Sequence, residues 1–338
     1  MTATSPAAPF SGPSSGPSSG PSSGPSSAAS LADIVAPYPA VARIAEAVLK
    51  AWPAHEKYMA RSLAGRGAAA LETTALLADA AVILAGDRLD EIARHYRWTC
   101  DRLREEEIHF HRTGGYRLST FAEADAEVYS NADYMAKYVD GLLFSQVLWS
   151  NHARSCDFYF RETPRHLRAG GRLLEVGPGH GLMLYLALRD FGLTQATAWD
   201  LSAVSIDQTR HALSLLGVRD ATLGVRDILE IEPGHETYDL VVLSEILEHL
   251  EDPKAALRAV RGLVAADGLV FVNVPINSPS PDHLYLMESL DDARALLRDT
   301  GFEIVAEDAF ATQNHPLDRA LRNRISVSVC MLGRPAGR

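Results

Sequence analysis

Short apolar runs alternate with helix-period segments along the C-terminal half of the chain. Seven apolar runs predict strands, near 172–177, 195–200, 221–226, 239–244, 268–275, 302–310 and 325–332. Four segments between them carry apolar residues three to four positions apart and predict helices, at 181–190, 203–216, 253–265 and 289–300. Such alternation is typical of an α/β protein with a doubly wound, seven-stranded, mostly parallel sheet.

Polar and glycine residues mark several of the predicted boundaries. Ser202 precedes the second helix, and Ser289 with Asp292 three positions later forms a capping-box pattern. Three glycines predict helix stops or breaks, Gly217, Gly262 and Gly301. The last two apolar runs have no helix-length pattern between them, so we expect them to form an antiparallel pair at one end of the sheet.

The N-terminal third has a different pattern. From Leu31 to about Leu118, apolar residues recur at helical spacing and predict a lobe of about four helices, which is a candidate dimerisation surface. Four GPSS units between Gly12 and Ser27 have no apolar face to bury and predict a flexible tail. The expected divisions are a tail, a helical lobe, a helical cover and an α/β domain, at 1–30, 31–125, 126–168 and 169–335.

Composition narrows the function further. The 338 residues are 47% hydrophobic, enough for a substantial core, and the net charge of −11 disfavours nucleic acid as a partner. The three cysteines are scattered and predict neither a disulfide framework nor a metal cluster, which fits a reducing cytoplasm. Since no run of 18 apolar residues occurs and Arg43 is the first basic residue, we expect no membrane span and no signal peptide.

The most informative motif is RLLEVGPGHG, from Arg172 to Gly181, in which a strand ends in three alternating glycines. Glycines at a strand-to-helix turn let a ligand approach the backbone and permit unusual φ values. Asp200 closes the next apolar run, where a carboxylate can accept both hydroxyls of a ribose. Leu182 occupies the position of the third glycine of a dinucleotide fingerprint, and Glu175 would repel phosphates. We therefore predict a nucleoside cofactor that carries an ammonium group.

This spacing, E-x-G-x-G-x-G, resembles motif I of the class I S-adenosylmethionine-dependent methyltransferases. The resemblance implies a Rossmann-like methyltransferase fold, S-adenosyl-L-methionine as cofactor and S-adenosyl-L-homocysteine as product. In that family the acidic residue after the third strand accepts from the adenine amino group, and the next backbone amide meets the ring. The cofactor residues implied here are Glu175, Gly177, Gly179, Gly181, Asp200, Leu201, Asp227, Ile228, Ser244 and Tyr134.

In the same resemblance, helices just before motif I fold over the cofactor and help to form the acceptor pocket. The segment from Tyr129 to Phe160 is rich in aromatic and amide groups and supplies the candidates as a group: Tyr129, Tyr134, Tyr138, Gln146, Asn151 and His152. The loops after the fourth and fifth strands lie where open α/β sheets bind ligands. Our predicted substrate-binding residues are Tyr138, Glu245, Asn277, Asp282, His283 and Glu288.

Transfer of a methyl group from a sulfonium to an amine or a hydroxyl needs alignment of the two reactants and a base that takes up the proton. His249, one helical turn beyond Glu245, is the first candidate for the base, with His283 and Asp282 as alternatives. Each histidine could equally be structural. An Asp/His pair offers two metal ligands without a defined third, so we expect no obligatory metal.

Three function classes remain. The first is an enzyme of specialised metabolism that methylates a small, possibly cationic acceptor; the helical lobe, the acidic charge and the SPSPDH loop resemble antibiotic-pathway aminoglycoside N-methyltransferases of the gentamicin type. Within this class, an O-methyltransferase for a phenol or a sugar hydroxyl is the alternative. The second is a nicotinamide-dependent oxidoreductase, which Leu182 and Glu175 disfavour. The third is a non-catalytic protein that keeps the cofactor fold.

Overall fold

The computed structural model describes residues 30–231 and 236–337, so the predicted GPSS tail lies outside the described residues. The first part of the described chain is helical, and the helix that precedes the sheet ends at His166. Its α-helices are α1 Leu31–Val35, α2 Pro39–Ala51, α3 Glu56–Ala64, α4 Ala68–Ala85, α5 Leu89–Thr113, α6 Phe121–Ala124, α7 Ala132–Leu148 and α8 Ser150–His166. A π-helical turn, Asp125–Tyr129, separates α6 from α7.

The remainder forms one sheet with helices between its strands. Its strands are β1 Arg172–Val176, β2 Gln195–Asp200, β3 Ala221–Val225, β4 Tyr238–Ser244, β5 Val264–Ile276, β6 Phe302–Ala311 and β7 Val327–Pro335. Its helices are α9 Leu182–Asp190, α10 Ala203–Leu215, α11 Pro253–Leu263, α12 Leu290–Arg298 and α13 Leu317–Arg322. The strand order is β3-β2-β1-β4-β5-β7-β6, and β7 runs antiparallel to both neighbours. This confirms the predicted fold class and the antiparallel pair.

Two local predictions need correction. Gly262 does not stop a helix, since it lies inside α11, where a Cβ at this position would meet nothing within 4 Å. A short helix, α13, connects β6 and β7, although no helix-length pattern marks it. The capping chemistry is confirmed: the Ser202 hydroxyl accepts from the Ser205 amide, and Ser289 with Asp292 forms the capping box.

The central strands are buried on both faces because helices cover both sides of the sheet. In β1 every residue after Arg172 is buried, and β4 is buried over Leu240–Leu243. Continuous apolar runs are what parallel strands of this kind require. The strand order reverses between β1 and β4, so a crevice opens at the carboxyl ends of these two strands.

The N-terminal helices share a continuous hydrophobic core with one face of the sheet. Ile44 of α2, Leu77 of α4, Phe144 of α7, Tyr159 of α8 and Phe271 of β5 all belong to this one cluster of buried side chains. The rings of Tyr159 and Phe271 lie 4.8 Å apart. The lobe therefore packs rigidly against the sheet and closes over one side of its carboxyl edge.

One stretch of the described residues, Ala68–Thr113, is long and apolar enough by length and composition to span a membrane, with a mean hydropathy of 1.7. Of its 18-residue apolar window, 39% is buried inside the molecule. Leu77 and Ala81 of α4 pack into the core described above, whereas Glu72 and Asp79 lie on the exposed face of the same helix. Core packing accounts for part of its apolar composition.

Candidate active site

The glycine turn after β1 has the backbone that the motif predicts. Gly177, Gly179 and Gly181 adopt φ values of 65°, 50° and 67°, in the left-handed region that favours glycine. A Cβ on Gly177 would lie 2.9 Å from Cγ1 of Ile246, whereas a Cβ on Gly179 would meet no atom within 4 Å. The turn therefore packs tightly on the β4 side and is open at Gly179, as a turn that admits a ligand must be.

Two acidic residues end the neighbouring strands at this crevice. Asp200 is the last residue of β2, and one of its carboxylate oxygens accepts from the Ser202 amide at 2.8 Å. Burial raises the pKa of Asp200, and backbone amides partly offset this effect. Beyond β3, one Asp227 oxygen accepts from the Leu229 amide at 2.8 Å, with Ile228 buried between them. Both carboxylates are thus held at the edge of the sheet by local backbone hydrogen bonds.

Glu175 lies inside β1 rather than in the open crevice. It is 3% exposed, and its Oε2 atom has no hydrogen-bond partner among the described residues. Burial raises its pKa to about 8, an effect that a backbone hydrogen bond from Leu184 partly offsets. A buried carboxyl with a free oxygen can take a cationic or hydrogen-bonding partner.

These features fit an adenosyl cofactor. Gly179 leaves space at the backbone, Asp200 offers a carboxylate for ribose hydroxyls, and Glu175 has an oxygen to spare. Leu201 is 55% exposed beside Asp200, and it supplies an uncovered apolar surface for a base ring, with Ile228 close to the adjoining strand end.

A cavity of about 610 Å³ lies between the N-terminal lobe and the loops that follow β4 and β5. Aromatic and imidazole rings from the lobe and the cover helices line much of it: Trp52, His55, Tyr58, Tyr138, Trp149 and His152. The opposite wall is polar and comes from the sheet loops: Glu245, His249, Ser278, Ser280, Asp282 and His283. The described chain therefore encloses a pocket with stacking surfaces on one side and titratable groups on the other.

Asp282 is the centre of the polar wall. Its Oδ1 atom accepts from the Ser280 hydroxyl at 2.8 Å and from the Tyr138 hydroxyl at 3.1 Å. Burial opposes its ionisation, but the neighbouring His249 and His283, together with these hydroxyl donors, hold its pKa below the usual value. Asp282 is therefore a buried, ionised carboxylate.

His249 lies against Asp282. Its Nδ1 atom is 3.0 Å from the Asp282 carbonyl oxygen, 3.5 Å from Asp282 Oδ2 and 3.2 Å from the Tyr129 hydroxyl. Burial and the charges of Asp282, Glu248 and Asp200 raise the pKa of Tyr129. Tyr129 thus lies between Asp200, at the end of β2, and the polar wall of the cavity. It connects the cofactor side of the site with the acceptor side.

His283 and Glu248 complete the cluster. The His283 ring packs edge-on against that of His249 with centroids 4.9 Å apart, and its Nδ1 is 2.7 Å from the Ser278 carbonyl oxygen. Burial lowers the pKa of His283 to about 3. Glu248 is fully buried, and burial together with the Glu245 carboxylate raises its pKa. Burial likewise raises the pKa of Glu245 to about 7.

Glu245 has a strained backbone. Its φ is 55°, in the left-handed region, where a non-glycine residue is uncommon. The Asn273 carbonyl accepts from its amide at 2.9 Å, and the Asn273 side chain donates to its carboxylate at 2.8 Å. The side-chain amide of Asn273 also donates to the Ser244 hydroxyl at 3.3 Å. Asn273 therefore holds the strained end of β4 and directs Glu245 into the cavity.

The structure brings most of the predicted residues together, with three exceptions. Asn277 is 1% exposed and hydrogen-bonds to the backbone of Met287 and Glu288, so it shapes the loop rather than facing substrate. Glu288 is a correction: its side chain is 62% exposed and pairs with Arg324 at 2.7 Å, outside the cavity. Tyr134 packs edge-on against Trp98, and its predicted contact with cofactor stays a prediction.

Sequence reasoning missed two contributors. The aromatic wall formed by Trp52, His55 and Tyr58 comes from the lobe, far from any motif, and no local signal marks it. Glu248 stands beside the predicted base, and its acidic character within an apolar LSEILEHL segment was a signal that could have been followed.

The comparisons with known proteins agree with this geometry. A family model described as "Methyltransferase domain" matches residues 149–315. The ubiquinone biosynthesis O-methyltransferase of Neisseria meningitidis serogroup C is 33% identical over 121 residues, 35% of this chain and 49% of that protein. Its counterpart in Xanthomonas campestris pv. campestris strain B100 is 34% identical over 133 residues, 39% of this chain and 54% of that protein. The chain spans about half the length of these relatives.

Among solved structures, the N-methyltransferase NodS from Bradyrhizobium japonicum WM9, in complex with S-adenosyl-L-homocysteine, is 15% identical. It covers 54% of this chain and 86% of its own, with a TM-score of 0.42. The glycine turn and the acidic strand ends agree with the family match: residues 149–315 resemble a methyltransferase domain, and the crevice at the glycine turn fits S-adenosyl-L-methionine as cofactor.

Proposed function

We propose that the chain methylates a hydroxyl group of a small aromatic acceptor bound in the cavity between the lobe and the sheet. The observation that carries this proposal is that the His249–Asp282 pair and the aromatic wall face the same 610 Å³ cavity. Rings such as those of Trp52 and Trp149 offer stacking surfaces for a flat acceptor. The relatives described above are named as O-methyltransferases, which supports transfer to oxygen.

The cofactor supplies a methyl group that its sulfonium already activates. What the chain must do is position the acceptor and take up its proton. Because the Asp282 carbonyl accepts from Nδ1 of His249, the Nε2 atom keeps its lone pair and can accept the hydroxyl proton. The Asp282 carboxylate lies 3.5 Å from the same Nδ1 and stabilises the imidazolium that results. The rings of the lobe that line the same cavity orient the acceptor.

The test is methyl transfer from labelled cofactor to a panel of phenols and amino sugars. We expect transfer to phenols by the wild type. His249→Asn should lower the rate by roughly 100-fold or more, as expected for loss of a general base. S-adenosyl-L-homocysteine binding should be unchanged, since His249 is not at the glycine turn. His211→Asn, on the exposed face of α10, is the matched control and should behave as the wild type. An unchanged rate for His249→Asn would contradict the assignment.

A second candidate is N-methylation of a cationic acceptor such as an amino sugar. The observation that favours it is that three carboxylates line the cavity, those of Glu107, Glu245 and Asp282. Carboxylates form charge-assisted hydrogen bonds to ammonium groups. The same panel separates the candidates, because labelled transfer to amino sugars and not to phenols would replace the first proposal with the second.

A further inference from the structure

Three potential metal-binding side chains converge on the polar wall of the cavity. Glu248 and His249 come from the segment after β4, and His283 comes from the loop after β5. One ligand atom from each lies within 4.8 Å of the other two. The Nε2 atom of His249 is 3.8 Å from Glu248 Oε1. The fold thus assembles three possible ligands, whereas the Asp/His pair considered from the sequence offered only two.

Each imidazole has its Nδ1 atom against a backbone carbonyl, which leaves the lone pair on Nε2. The Nδ1 atom of His249 donates to the Asp282 carbonyl at 3.0 Å, and that of His283 donates to the Ser278 carbonyl at 2.7 Å. We assign these tautomers from the acceptors, since a backbone carbonyl can only accept. A carbonyl that fixes one ring nitrogen while the other faces a common point is the outer-shell arrangement of metal-binding histidines.

Glu248 provides an independent indication. It is 0% exposed, and among the described residues its carboxyl group has no hydrogen-bond partner other than the carboxyl of Glu245, whose proximity raises its pKa. A buried acidic pair with no other donor is costly. A cation between these groups would satisfy both oxygens and remove the repulsion between the two carboxylates.

We propose that Glu248, His249 and His283 bind a divalent first-row transition cation, with Glu245 as a further carboxylate donor. Two imidazole nitrogens with carboxylates favour Mn²⁺, Fe²⁺, Co²⁺ or Zn²⁺ over the oxygen-preferring Mg²⁺. This departs from the expectation, drawn from the sequence, that no obligatory metal is present. The cation would lie on the acceptor side of the site, because Glu245, His249 and His283 all line the cavity.

The role of the cation rests on the proposed function. In the cavity it would bind the oxygen of the acceptor hydroxyl and lower the pKa of that hydroxyl, as bound divalent cations do for water. With the cation bound, His249 would be a ligand through Nε2 in place of the base role described above, and the hydroxyl would release its proton to solvent water. The binding claim itself is independent of which acceptor the enzyme uses.

The experiment titrates Mn²⁺ into the chelator-treated full-length chain and follows free Mn²⁺ by electron paramagnetic resonance. We expect one bound ion per chain, and Co²⁺ bound in its place should give an absorption spectrum with mixed nitrogen and oxygen coordination. Glu248→Gln, His249→Asn and His283→Asn should each weaken Mn²⁺ binding at least about 100-fold, beyond what loss of an outer-shell partner costs. His211→Asn should bind as the wild type. Circular dichroism and S-adenosyl-L-homocysteine titration establish that each variant is folded.

Absence of stoichiometric binding of Mn²⁺, Co²⁺ and Zn²⁺ at millimolar concentration would overturn the proposal. So would unchanged Mn²⁺ affinity in the three folded variants. A third result would also overturn it: neither the wild type nor Glu248→Gln binds a cation, and Glu248→Gln is the more stable of the two. In that case Glu245 and Glu248 share a proton in place of a cation. If Mn²⁺ binds as expected while no phenol is methylated, the cation site stands and the proposed acceptor is wrong.

Discussion

At the scale of single residues, Glu175 makes a pH-dependent contribution to stability. Burial raises its pKa to about 8 from the ordinary value of 4.5, so between these values the folded chain holds a proton that the unfolded chain has lost. Its contribution is therefore complete at low pH and falls as the pH rises toward 8.

Glu175→Gln removes this titration while keeping the shape of the protonated side chain. Between about pH 5.5 and 7.5 the wild type should lose about 2 kcal/mol of unfolding free energy relative to the variant. Urea unfolding of both chains without cofactor at the two pH values measures the difference. The comparison cancels other titrating groups, such as the buried His152, whose pKa burial lowers to about 4. Parallel pH curves for the two chains would contradict the assignment.

Tyr138 positions Asp282 rather than binding the cofactor. Its hydroxyl is 2.6 Å from Ser280 Oγ and 3.1 Å from Asp282 Oδ1. Tyr138→Phe leaves the buried carboxylate with fewer donors and should cost about 1–2 kcal/mol of stability. Methyl transfer should fall while S-adenosyl-L-homocysteine affinity stays the same. Because the loss of a donor raises the pKa of Asp282, a higher pH should ionise this carboxyl again and recover part of the rate. Loss of cofactor affinity equal to the loss of rate would contradict this role.

The residues of the site were predictable to different degrees. The glycines, Asp200 and Asp227 lie at or just beyond the carboxyl ends of strands, so their spacing along the chain places them at one edge of the sheet. His249 and Asp282 could be nominated from neighbouring loops, but their contact depends on how these loops fold toward each other. Glu288 was placed wrongly because a loop residue's direction depends on a distant partner, here Arg324.

At the scale of elements, α5 and α7 approach too closely for a side chain at Gly141. A Cβ there would lie 2.7 Å from the Thr99 Cβ and 3.2 Å from the His95 carbonyl oxygen. An ion pair between Arg88, the N-cap residue of α5, and Asp140 of α7 also joins these two elements. Close contact with α5 therefore fixes the position of α7, which carries Tyr138 to the cavity.

Gly141→Ala should force these helices apart and destabilise the chain by about 1–3 kcal/mol, the usual cost of overpacking. Gly262→Ala is the matched control, because this glycine is also helical but open, and alanine there should add up to about 1 kcal/mol through helix propensity. Thermal unfolding of both variants measures the effect. Equal shifts in the two variants would contradict a specific contact between α5 and α7.

The elements of the α/β domain were largely predictable, because buried parallel strands have continuous apolar sequences. The start of β5 at Val264 was missed, because VAADG carries polar and glycine residues that interrupt its pattern. The helix α13 was missed because it has six residues, fewer than two helical turns, too few for a period to appear. Only contact with β6 and β7 supports so short an element.

At the scale of the whole molecule, the shared core predicts cooperative unfolding. Buried residues of α2, α4 and α7 join those of β5 in one cluster, so the lobe and sheet should lose structure together. Urea transitions followed by tryptophan fluorescence and by far-ultraviolet circular dichroism should coincide. Trp52, Trp98 and Trp149 report on the lobe and cover helices, and Trp199 reports on the sheet. Two separated transitions would contradict a common core.

The division into lobe and sheet was visible in the sequence, but their packing was not. Helical periodicity shows which face of α2 or α4 is apolar without showing what covers it. The cavity depends on that packing, because its aromatic wall belongs to the lobe and the cover helices and its polar wall to the loops of the sheet.

The central claim is that the turn after β1 holds the cofactor, and one calorimetric titration with S-adenosyl-L-homocysteine tests it most directly. A Cβ at Gly179 would meet no protein atom within 4 Å, so it would extend into the space left for ligand. Gly217, at the end of α10, also has a positive φ and open surroundings, and Gly217→Val is the matched control for backbone strain. We predict that Gly179→Val weakens binding at least about 100-fold, roughly 2.7 kcal/mol, and that Gly217→Val binds as the wild type. Unchanged affinity in a folded Gly179→Val chain would contradict the account.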